Sequence, residues 1–182
     1  MRRVLPALLL ALLLSPAADA RVRNVTDADA PRAVPVAGGV TVRWSDPAGF
    51  TDLRASGNPT EARRGNWVEQ LALHLRDRAQ ASLAAGDTLD VEITDIRRAG
   101  GYEPWRGVQF QDVRILREIY PPRIALRFQR TGAGGQVIDQ GERTLVDGGY
   151  LMGASRMDSD PLRYEKRMLD RWVRQELGAP RA

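Results

Sequence analysis

The sequence predicts an α+β fold, a two-layer sandwich in which a mixed sheet of four to five strands carries two helices on one face. Three observations predict it. Short runs alternate apolar and polar residues, which is the period of a half-buried strand. Two longer segments place apolar residues on one stripe at a spacing of 3.6. A glycine-rich turn, "TGAGGQ", separates two of the alternating runs, as in a β-hairpin.

In chain order, "MRRVLPALLLALLLSPAADA" comes first. Arg2 and Arg3 precede an apolar stretch from Val4 to Leu14, and Ala18-Asp19-Ala20 is a small-x-small cleavage site. This is the anatomy of a cleavable secretory signal peptide over residues 1–20. The apolar stretch is too short for a membrane span. No Cys follows the site, and no later segment is expected to cross a bilayer. "RVRNVTDADAPRAVPVAGG", residues 21–39, is small, polar and Pro-bearing, and reads as a flexible arm. A single domain is expected over residues 40–178. Its size allows burial of roughly 70% of the unfolded surface.

"VTVRW" is the first strand, with Val40, Val42 and Trp44 on one side. Asp46-Pro47 ends it, and a long loop runs to Gly65. Asn66 is placed to cap a helix, with Glu69 at the capping-box distance. Trp67, Val68, Leu71, Leu75, Ala79 and Leu83 form the stripe of that helix, and Gly86 closes it. "TLDVEITDI" is the second strand; its phase slips at Asp95, where a bulge is expected. "QDVRILREI" reads as a third strand, broken by Pro121-Pro122. "RIALRFQR" and "VIDQGERTLV" make the hairpin, and Gly141 marks a candidate bulge. The last helix is capped by Asp160, starts at Pro161 and buries Leu162, Leu169, Trp172, Val173 and Leu177. The order is β-α-β-β-β-α. A strand–helix–strand unit crosses over right-handed and yields a parallel pair. Arg43, Asp90, Glu92, Arg123 and Arg127 then fall on the sheet face away from the helices.

The chain has no Cys and one His, so neither a disulfide nor a cofactor or metal set is expected. His74 reads as a helix-flank residue. Removing residues 1–20 takes away Arg2, Arg3 and Asp19 and leaves 25 basic against 22 acidic side chains. An exported chain with so balanced a charge argues against nucleic acid as partner. The excess is local: eight Arg in residues 97–130 face Glu103, Asp112 and Glu118. They either attract an anionic envelope polymer or pair across strands with acidic residues, and cross-strand pairing is favoured.

Ser45, Thr51 and Ser56 lack a nucleophile-elbow turn, and Asp46, Asp52 and Asp95 lack the spacing of a calcium loop. Glu103 and Asp112 are the one carboxylate pair that could serve a glycosidase. The loop "AGGYEPWRGVQF" is the better clue to binding. Tyr102 and Trp105 offer flat apolar surface with polar tips, and Arg106 and Arg114 could hold a carboxylate or phosphate. The alternative makes Trp105 a core plug, favoured by the high average burial of Trp.

"WSDPAGFTDLR", "LDVEITDIRRAG", "DVRILREIYPPRIALRF" and "LRYEKRMLDRW" together resemble an uncharacterised family of exported proteobacterial proteins, the domain of unknown function 3016, across Val40–Leu177. The resemblance implies a periplasmic setting in a bacterium and carries no activity, cofactor or catalytic residue. Two functions are therefore weighed. One is a periplasmic, non-enzymatic binding or envelope-assembly module whose partner is an envelope protein or anionic envelope polymer. The other is a small cell-wall glycan hydrolase or lyase using Glu103 and Asp112.

Overall fold

The computed structural model describes residues 24–152 and 158–178; the signal segment, residues 1–20, lies outside them. Four strands build the main sheet: β1 (Val40–Trp44), β2 (Thr88–Arg97), β5 (Arg123–Thr131) and β6 (Val137–Val146), in the order β1-β2-β5-β6. β1 and β2 run parallel, as the crossover rule demands, and β2, β5 and β6 are antiparallel. The crossover is helix α3 (Trp67–Ser82). Helix α4 (Arg163–Leu177) returns beside it after the hairpin. The fold is α+β, as predicted.

The apolar strand positions meet the helix stripes in one core. Val40, Val42, Leu89, Val91, Ile93, Ile124 and Leu126 are buried with Leu71, Leu75, Ala79, Leu169, Trp172 and Val173. Phe128 and Trp172 close it edge-to-face with ring centres 5.6 Å apart. The other sheet face is a charged rung across all four strands. Arg43, Glu92, Arg127 and Glu142 lie opposite one another in turn. Arg43 pairs with Glu92 at 3.5 Å and Arg127 with Glu142 at 2.7 Å. Arg130 pairs with Asp87 at 2.7 Å. The arginine excess is in large part neutralised by pairing of this kind.

The structure departs from expectation in several places. "QDVRILREI" supplies only a two-residue strand, β4 (Arg114–Ile115). It pairs with β3 (Gly101–Tyr102) in a separate ribbon and leaves the main sheet at four strands. The long loop folds into short helices α1 (Thr51–Arg54) and α2 (Pro59–Arg63). Residues 24–39, expected as a flexible arm, lie against the domain. Val25 and Val34 are buried in the core, and Val34 N–H donates to the Val42 carbonyl at 3.1 Å. Two valines spaced along a polar segment are too weak a period to announce that packing.

The bulge at Asp95 is present, between Ile93 and Asp95, but Gly141 stays in register opposite Phe128 and the hairpin irregularity falls at Arg130/Thr131. The capping box at α3 does not form, because Asn66 and Glu69 bond each other's side chains and Asn66 also accepts from Gln70. Regular α4 begins two residues after Pro161, although Asp160 does accept a bond from Leu162 N–H at 2.8 Å.

Candidate functional site

The segments flanking β2 meet at one buried carboxylate. Asp52, on α1, is buried. It accepts from the backbone N–H of Arg98 at 2.8 Å and from that guanidinium at 2.8 and 2.9 Å. Arg114 adds two bonds at 2.9 and 3.1 Å. The position of α1 is fixed by Asp95, at the β2 bulge, which accepts from Thr51 N–H and Oγ1 at 2.6 and 2.7 Å. Each arginine also lies on an aromatic ring: Arg98 is 4.2 Å from the centre of Trp67, and Arg114 is 4.7 Å from that of Tyr102. Burial alone would push the Asp52 carboxyl up; the two guanidinium charges and their hydrogen bonds outweigh it and hold the group below its ordinary value. Asp52 is therefore a saturated anion, and with Arg98 and Arg114 it leaves one net positive charge.

A second knot forms in the Gly100–Asp112 loop. Glu103 is shielded from solvent by its own partners. Arg117 donates to it at 2.8 Å, Tyr120 Oη at 2.9 Å, and Arg106 Nε lies 3.0 Å away. The Arg117 hydrogen bond does most to depress its pKa, against desolvation. A general acid needs the opposite shift. Asp112 is exposed and accepts from Asn58 Nδ2 at 2.9 Å. The two carboxylates share no partner.

Trp105 is 72% exposed. The core-plug reading of this residue is thus corrected. In this loop the acid turns inward and the indole outward, since Glu103 finds two donors, Arg117 and Tyr120, beneath the single helical turn Pro104–Arg106. Gly100 makes the approach possible: its φ is +80°, and a Cβ there would stand 2.8 Å from the Ile115 carbonyl oxygen. Downstream, Val108, Phe110, Val113, Leu116 and Ile119 also expose large apolar surface.

Between α1 and this loop lies a cleft of about 270 Å³. Tyr102, Trp105 and Tyr120 line it together with Arg97, Ser56, Arg114 and Asp52. Of the four predicted binding residues, Tyr102, Trp105 and Arg114 come together here. Arg106 does not line the cleft and is held by Glu103. Asp52, Arg97, Ser56 and Tyr120 were not legible as site residues, because only the folded chain brings them to the loop. Glu165, on α4, is buried close to this centre. Its Oε1 accepts from Ala99 N–H at 2.6 Å, its Oε2 has no partner, and burial raises its pKa. It lines neither this cleft nor a second one of about 330 Å³ on the other side of Tyr102 and Arg114.

Among the described residues no group of His, Cys, Asp and Glu could hold a metal, and no helix is long and apolar enough to cross a membrane. Comparison with curated proteins gave no match, and comparison with solved structures gave none. One family model does match, over residues 38–175, a span that contains Asp52, Arg98, Arg114 and Glu165 as well as every strand of the sheet. The chain belongs to the family described as Protein of unknown function (DUF3016).

Proposed function

We propose that this protein is a non-enzymatic docking module of the bacterial periplasm that captures an anionic envelope component. The observation that carries the reading is Trp105, 72% exposed at the rim of the cleft. A solvent-facing Trp on a loop pinned from below is typical of a binding anchor. The Glu103 knot holds the loop in place without a ligand, which lowers the ordering cost of binding. The periplasmic address rests on residues 1–20; N-terminal sequencing of the periplasmic protein should begin at Arg21, and an intact leader or a cytoplasmic product would contradict it. The hydrolase alternative gains no support, since Glu103 is kept ionised by its arginines.

The test is co-sedimentation of the mature protein with purified peptidoglycan sacculi and with lipopolysaccharide micelles. Binding by the native chain and loss of it in Trp105→Ala is expected, with stability changed by less than about 0.5 kcal/mol. No binding to either polymer would count against the proposal, and so would equal binding by the variant.

A further inference from the structure

We infer that the cleft beneath Trp105 is a site for a carboxylate carried on a sugar ring, with Arg97 as the residue that holds the anion; this rests on the docking reading above. The hydrogen-bonding inventory of the cleft points to an anion. Its carboxylate, Asp52, has both oxygens occupied by Arg98 and Arg114. Its donors remain available. Among the described residues, Arg97 makes no ion pair with a carboxylate, and it lines the cleft together with Tyr120. Among the described residues the indole N–H of Trp105 has no hydrogen-bond partner, and Ser56 uses its oxygen only to accept from Asn58 N–H at 3.1 Å.

A half-buried, unpaired guanidinium beside free donors is suited to bidentate capture of a planar carboxylate. The volume adds a size limit. About 270 Å³ is at the small end for a ligand site, so it accommodates one ring-sized unit and not a length of chain. Tyr102, Trp105 and Tyr120 offer that ring flat faces. A repeating acidic polymer would then present one unit to the cleft while the exposed apolar residues beyond Trp105 meet the rest.

Trp105 supplies the readout. Trp44, Trp67 and Trp172 are buried, so changes in exposed indole fluorescence report on this cleft. The mature protein is titrated with a short oligoglucuronate, with the matching neutral glucose oligomer and with glucose 6-phosphate. A saturable response to the uronate, weakened about tenfold or more by Arg97→Gln and by high salt, is expected. Urea unfolding of the variant verifies that it is folded. An equal response to the neutral oligomer, a stronger one to the phosphate, or an unchanged one in Arg97→Gln overturns the inference. If the uronate fails while Trp105-dependent co-sedimentation persists, the carboxylate assignment is wrong and the docking reading stands. If both fail, both are wrong.

Discussion

Asp52 and Glu165 sit in the same buried neighbourhood and respond to it in opposite directions. Asp52 is stabilised as an anion by two arginines, so Asp52→Asn leaves two largely buried guanidinium groups without their counter-charge. A loss of about 3–5 kcal/mol is expected in urea unfolding, and a loss below about 1 kcal/mol would mean that the triad is not structural. Its folded pKa lies below the unfolded value, near 4 for Asp. The stability it contributes is thus present above that value and lost as pH falls through the folded pKa. Glu165 has a raised folded pKa. Its cost is absent below the unfolded value, about 4.3, and grows as pH rises towards the folded pKa. Glu165→Gln should therefore gain stability relative to the native chain between pH 4 and pH 7. A difference that does not change across that interval would show that Glu165 ionises as freely folded as unfolded. None of this was readable from residue identity. Asp52 and Glu165 are 113 positions apart, and the sequence marks neither as buried.

Elements were more legible. β1 and β5 have a strict period of two, and α3 and α4 have one apolar stripe each, so there local pattern and tertiary packing agree. Trp172 joins them: it is 2% exposed on α4 and meets Phe128 of β5. Trp172→Ala is expected to cost about 3–5 kcal/mol in urea unfolding, and a loss under about 1 kcal/mol would contradict the helix-on-sheet packing. The segment 111–119 was misread because its alternation had no main-sheet neighbour to pair with; it makes a ribbon with Gly101–Tyr102. The outer edge of β6 is guarded by its own side chains. Asp139 accepts from Gln140 N–H at 2.8 Å, and Arg143 donates to the Glu142 carbonyl at 3.2 Å. Charged side chains on an exposed edge discourage pairing with other chains.

At the scale of the molecule, the sheet presents a neutralised ladder on one face and a packed helix layer on the other, so neither face offers a large unsatisfied surface. The exposed Trp and five more exposed large apolar residues lie together in the excursion between β2 and β5. There, exposed Trp105 and the apolar residues that follow adjoin the cleft lined by Arg97, Ser56 and Tyr120. The sequence singled out that loop through its glycines and aromatics. It did not show whether Trp105 faces in or out, because the answer depends on which side chain Glu103, Arg117 and Tyr120 leave room for. The most direct measurement is acrylamide quenching of tryptophan fluorescence in the protein without residues 1–20, with and without saturating amounts of the proposed ligand, sacculi or lipopolysaccharide. One of the four tryptophans should be readily quenched in the free protein, that component should vanish in Trp105→Ala, and the polymer should protect it. A free protein with no accessible tryptophan, or an accessible Trp105 left equally quenchable by saturating polymer, would contradict the docking reading.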